Sequence, residues 1–286
     1  MLMMLGASSL CVGILLLPDV EPLVSQNPTE TSYMRRPSRS GKPGPSKLEV
    51  WTPLRDISPM LACAVIKAED HDFFNHRGFD WAQLRRAMSR NLLGPGAMGG
   101  STLTQQLARN LFLGPERTWR RKASEAWLTL RLEQRLSKER LLELYLNVIE
   151  WGEGVWGITA ASHHYFGEPP GDLDAFESTF LAALIAAPTH SLTGKNLERA
   201  ARSQRRTLAM LRASGLLPPE IWRDASSRAT ALKEALDRGV PLALALREAR
   251  AALARPQVPS PPLLDSRQLG AALSVRCELS PSALLP

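Results

Sequence analysis

Helix punctuation is the feature that most constrains this chain. From Trp51 to about Leu217, the long segments carry apolar residues at helical spacing behind capping residues, and no alternating β-branched run competes. Ser58-Pro59 sets a cap residue and a first-turn proline ahead of MLACAVIKAED. Asp80 stands before WAQLRRAMSRNLL, which stops at Gly94-Pro95-Gly96. Thr102 followed by Gln105 forms a capping-box pattern that opens TLTQQLARNLF. A long amphipathic stretch runs from Thr118 to Leu136, and Ser137 precedes KERLLELYLNVIE. Beyond the glycines at 152, 154 and 157 come shorter helices, including FESTFLAALIAA. The pattern predicts a mainly α core.

The two ends read differently. Met1 to Leu17 carries no charged side chain and ends at Pro18-Asp19. As a helix it would span roughly 25 Å, short of a bilayer core of about 30 Å. The basic residues follow it, at 35, 36, 39, 42 and 47, which disfavours export of what comes after. Residues 1–18 read as a membrane anchor, against a cleaved signal or a buried apolar segment. Residues 19–50 read as a linker, rich in Ser, Pro, Gly and Arg from Pro28 onward. Residues 51–220 read as one helical domain. All 17 aromatics lie between Tyr33 and Trp222, and six prolines fall in the last 31 residues. Residues 221–286 therefore read as an appended Ala/Leu/Arg-rich helix and a Pro-rich tail, adding little burial to offset their ordering entropy.

Charge is concentrated. The chain has 35 Lys+Arg against 28 Asp+Glu, a net +7. Residues 109–140 hold nine Lys/Arg against four Glu, a local excess that suits an anionic partner. No nucleic-acid-binding module accompanies it. The cysteines at 11, 63 and 277 lie too far apart for a disulfide framework or a Cys-rich zinc site, and leave the redox compartment open.

Three clusters carry candidate chemistry. In EDHDFFNHRGFD, Glu69 closes an apolar helix, where the macrodipole and burial beside Val65 and Ile66 both disfavour the anion. A carboxyl tuned upward suits a general base, although a plain polar helix end fits the same residues. The histidines and acids there lack a metal-site spacing. In GGSTLTQQLARN, glycine and hydroxyl residues at a helix start suit phosphate, and Gln105 and Arg109 share a face; a simple cap is the alternative. In RTWRRKASE, Arg121 and Lys122 precede Glu125 by four and three residues, so all three share a face, as a solvated ion-pair cluster also would.

In this order the clusters resemble the motifs of the peptidoglycan glycosyltransferases, with RRKASEAWLTLRLE as the third and LLELYLNVIEWGEGVWGITAASHHYFG as the fourth and fifth. The monofunctional biosynthetic branch fits best, since no serine has a lysine three residues on, as the S-x-x-K transpeptidase nucleophile requires. The resemblance implies a lysozyme-like helical catalytic domain with a smaller membrane-facing lobe and an N-terminal anchor segment. It implies polymerisation of lipid II by inverting transfer, forming β-1,4 bonds and releasing undecaprenyl pyrophosphate. Glu69 and Glu125 would be catalytic. Asp70, Phe73, His76, Ser101, Thr102, Gln105, Gln106, Arg109, Arg121, Lys122, Glu143 and Asn147 would bind substrate. Arg109 stands where the family usually has lysine, and His71 where arginine is common. A divalent cation such as Mg²⁺ is the one cofactor allowed for. The partners would be lipid II, the growing glycan strand, the membrane and other cell-wall synthesis proteins, with no nucleic acid. Location would be the bacterial inner membrane, single-pass, with the catalytic domain on the outer side. A wall-cleaving lysozyme or lytic transglycosylase is the runner-up.

Overall fold

The computed structural model describes residues 17–35, 48, 50–85, 87, 100–116, 118–186, 192–251 and 277. The helices in chain order are α1 (Pro59–Glu69), α2 (Leu103–Phe112), α3 (Trp119–Arg135), α4 (Lys138–Val148), α5 (Ile158–Phe166), α6 (Ala175–Leu184), α7 (Gly194–Ala213), α8 (Pro219–Asp237) and α9 (Leu242–Ala251). A hairpin of β1 (Glu150–Gly152) and β2 (Val155–Trp156) separates α4 from α5. A further helix starts at Trp81, where Asp80 accepts the Gln83 N–H at 2.7 Å as its cap. The mainly α expectation holds. Two compact units divide the chain: Met1–Glu49 with Phe73–Val148, and Val50–Asp72 with Ile149–Pro286.

In the first unit, α2 packs on α3 and α4, and α3 on α4. Thr102 and Gln105 close the anticipated capping box, and Thr118 caps α3 through the Arg121 N–H. Leu103, Leu107, Leu128, Leu132, Leu142 and Tyr145 fill the space between these helices.

The linker expectation for 19–50 falls in part, at 36–47 and 49, outside the described residues, and the described part of that segment is packed. Val20, Leu23, Thr31 and Met34 are buried. The Arg140 guanidinium donates to the carbonyls of Leu23 and Gln26 and to Asn27 Oδ1, at 2.8–2.9 Å. Arg131 and Arg135 pair with Asp19 and Glu21, and Ser32 bonds the Leu111 carbonyl through both its N–H and its hydroxyl. Side chains far along the sequence thus supply the order that local composition lacks. The anchor expectation falls on residues 1–18, of which 1–16 lie outside the described residues. Among the described residues no helix is long and apolar enough to cross a membrane.

In the second unit α6 is buried along its whole length, its polar Glu177, Ser178 and Thr179 included. Around it pack α1, α7 and α8, while α9 packs on α8 and α5. Gly152 allows the hairpin to lie against α5: a Cβ there would meet Tyr165 Oη at 2.2 Å.

The helix expected after residue 220 is present as α8 and α9, but it is packed, which corrects the expectation of little burial; the Pro-rich end, apart from Cys277, lies outside the described residues. In α8, Ala225, Ala229, Leu232 and Ala235 are buried, and in α9 Ala245, Leu246 and Ala249. Alanine lets helices approach closely, so burial is achieved without aromatics. Arg228, 2% exposed, pairs with Asp174 at 2.6 Å and Asp224 at 3.2 Å and donates to the Ala249 carbonyl. Arg250 donates to the Phe166 carbonyl at 2.7 Å and pairs with Glu168 and Glu177. A disulfide joins Cys63 of α1 to Cys277.

Candidate active site

The centre of the candidate site in the first unit is a carboxylate held by two cations. Glu125, one turn and a half into α3, has a side chain that is 0% exposed. Its Oε2 accepts from Arg121 Nη1 at 2.5 Å and its Oε1 from Lys122 Nζ. Arg121 is 15% exposed and Lys122 44% exposed, so the Arg121–Glu125 pair is sheltered while the Lys122 ammonium reaches solvent. Arg121 Nε is buried without an acceptor among the described residues, which leaves a charged donor with capacity to spare. Both Glu125 oxygens face cations, so this carboxylate does not fit as a ligand for a divalent cation.

The loop after α1 brings Phe73 and His76 together. Phe73 is 1% exposed and packs edge-on against Phe74 and His76, with centroids 5.2 and 6.3 Å apart. His76 Nδ1 accepts the Gly78 N–H at 3.1 Å, which places a neutral ring's proton on Nε2. The Gly78 carbonyl accepts the Thr102 hydroxyl at 2.7 Å, joining this loop to the start of α2.

Several second-motif groups are engaged within the protein. Gln105 Oε1 accepts the Thr102 N–H at 3.0 Å. Gln106 donates to the Ser101 carbonyl and accepts the Tyr145 hydroxyl at 2.8 Å. Arg109, on the last turn of α2, is half-buried and has no ion-pair partner among the described residues. In the fourth motif, Glu143 pairs with Arg140 at 2.5 Å, and Asn147 Nδ2 donates to the Glu143 carbonyl. Arg131, Arg135, Lys138 and Arg140 all have carboxylate partners, so much of the local positive excess serves the fold. Arg121 and Lys122 share the single Glu125 carboxylate, and Arg109 and the exposed Arg120 have no ion pair among the described residues.

Glu69 and Asp70 belong to the second unit. Glu69 is the last residue of α1 and half-buried; Asp70 is 1% exposed, with its N–H on the Ile66 carbonyl at 2.9 Å. Sequence reasoning missed the Cys63–Cys277 bridge and the Arg228 and Arg250 clusters. The D-x-x-E box of Asp174 and Glu177 was a readable signal for one end of them. Burial, then the charges of Asp174 and Glu168, push the Glu177 carboxyl up to about 7, against the opposing pull of Arg250.

Residues 40–212, more than half of the chain, match the transglycosylase family. The chain belongs to that family. It is similar to the biosynthetic peptidoglycan transglycosylase of Azoarcus sp. (strain BH72), 44% identical over 57% of this chain and 73% of the relative. A protein of the same description from Alcanivorax borkumensis is 43% identical over 60% of this chain and 69% of the relative. One from Nitrosospira multiformis is 39% identical over 67% and 85%. The match ends at 212, so α8 and α9 lie beyond it although they pack into the same unit as α1 and α6. As a member of this family the protein is a glycosyl-transferring enzyme.

Proposed function

We propose that this enzyme polymerises peptidoglycan glycan from lipid II, with Glu69 as general base and the Glu125-held cations receiving the leaving group. Glu69 takes the proton from the acceptor sugar's 4-hydroxyl. That oxygen attacks the donor's anomeric carbon from the face opposite the α-linked pyrophosphate, giving a β-1,4 bond and releasing undecaprenyl pyrophosphate. Glu69 suits the base by its place, a half-buried carboxyl-bearing residue at the C-terminal end of α1. The observation that carries the reading is the buried Glu125 gripping Arg121 and Lys122. A preorganised cation pair meets developing diphosphate charge without reorganising, and can lower a barrier by several kcal/mol. Arg109 supplies a third positive charge on α2.

The membrane side of the reading rests on the first unit's surface. Trp119 (91% exposed), Trp127 and Leu130 lie along one side of α3, with Arg120 beside them, and Trp81 is exposed too. Exposed tryptophan with flanking arginine suits the interface of a bilayer carrying the substrate. The Cys63–Cys277 bridge suits the oxidising, outer side of the inner membrane. The test is Glu69→Gln with purified lipid II: polymer formation should be abolished with the melting temperature retained. Near-wild-type glycan yield from that variant would sink the assignment.

A further inference from the structure

The third motif stretch closes on Glu133, and α4 opens on Lys138; neither was among the expected site residues. The Glu133 side chain is 6% exposed and accepts from Thr104 Oγ1 at 2.5 Å and from Lys138 Nζ at 2.9 Å. The same ammonium lies 4.5 Å from the centroid of the Phe73 ring, within cation–π range. Gly78 rests on the stem of Glu133. At φ +87° it has no room for a Cβ, which would meet Thr129 Cγ2 at 2.7 Å and Glu133 Cγ at 3.1 Å. Glu125, Thr129 and Glu133 follow one another at four-residue steps along the inner face of α3, and the Thr129 hydroxyl donates to the Glu125 carbonyl. One sheltered ion pair therefore touches the Phe73–Gly78 loop and the first turn of α2, and joins the end of α3 to the start of α4.

We propose that Lys138 and Glu133 are positioning residues for glycosyl transfer, holding the Phe73–Gly78 loop and the start of α2 in one geometry. Stability alone is a poor reason for such a pair, because desolvation offsets most of its Coulomb attraction and an apolar contact would pack as well. What the pair supplies is direction. The carboxylate fixes the Thr104 hydroxyl, and the ammonium fixes the face of Phe73, on which His76 packs. Phe73, Thr102 and Gln105 are thereby held in register with the α3 face that carries Glu125.

The inference rests on the proposed function for its activity readout only. Four variants decide it: Lys138→Met, Glu133→Gln, Lys138→Arg, and the Lys138→Met/Glu133→Gln double. Lipid II polymerisation is measured per folded molecule, and amide hydrogen exchange is followed over residues 73–79. Lys138→Met should lower kcat/KM about 100-fold, the scale of an ångström-level misplacement, mostly through kcat, and should quicken exchange at Gly78. Lys138→Arg should restore most of the rate, and the double should be no worse than the poorer single, because both singles break one unit. Wild-type rates per folded molecule in both singles, no rescue by arginine, or independent multiplication in the double would each overturn it. If Lys138→Met does not fold, Glu133→Gln and Lys138→Arg carry the decision. If the wild-type enzyme makes no glycan, the proposed function fails, and the exchange comparison still decides whether the brace exists.

Discussion

Replacing Glu177 by glutamine should make the enzyme more stable at high pH and flatten its pH dependence. Glu177 is 0% exposed at the N3 position of α6, where its Oε2 accepts the Asp174 N–H. Asp174, Glu168 and Arg250 face it, and burial is the largest influence, raising its carboxyl from 4.5 to about 7. A raised folded-state pKa means that the native protein holds the proton more tightly than the unfolded chain. The stabilisation is therefore complete below pH 4.5 and lost as pH climbs through about 7. The difference corresponds to about 3 kcal/mol as an upper bound. Glutamine mimics the protonated acid and serves equally well in a capping box, so it keeps the Asp174 contact. It forgoes the Arg250 ion pair, which retains Glu168 as partner. Urea denaturation of both proteins at pH 5, 6, 7 and 8 is the assay. The stability of the wild type relative to Glu177→Gln should fall by about 2.5 kcal/mol across that range, most steeply near pH 6, midway between the unfolded and folded values, and level off above pH 7. Parallel stability curves for the two proteins would refute the reasoning, because they would mean that Glu177 is ionised throughout.

Cys63→Ser and Cys277→Ser should each lower the melting temperature by the same amount, since the bridge spans 214 residues and chain entropy assigns such a loop about 5 kcal/mol. Dithiothreitol should do the same to the wild-type enzyme and nothing further to either variant. Deleting Gly239–Pro286 should destabilise the protein strongly, because it removes α9, Arg250 and Cys277 together; an unchanged thermal melt would restore the view of a dispensable tail. Arg121→Lys keeps the charge beside buried Glu125 but loses the planar fork, so polymerisation should fall more than about tenfold while the melting temperature moves little; equal losses in both would assign Arg121 to the fold alone.

Local chemistry made the helices of this chain legible. Thr102 with Gln105, Thr118 and Asp80 mark helix starts because a cap and its N–H partner lie within about four residues of each other. Ser58-Pro59 marks one through its first-turn proline, the Ser58 hydroxyl donating to the Leu173 carbonyl instead. The sharing of one face by Arg121, Lys122 and Glu125 follows from the same short-range geometry. What those residues touch is a longer-range matter. Whether Arg140 meets a substrate or the carbonyls at 23 and 26 depends on where a segment more than a hundred residues away comes to rest. Arg228 reaches Asp174 across 54 residues, Arg250 reaches Glu168 across 82, and Cys63 reaches Cys277 across 214. Composition favoured little burial for the helix after Trp222 because aromatics were absent, yet the packing of α8 and α9 asked only for small side chains at a helix–helix contact. The sequence by itself determined the helices and the order of the motif residues. Tertiary structure decided which of their charges are spent within the protein and which are left to face a ligand, because a buried charge takes its partner from whichever helix is packed against it.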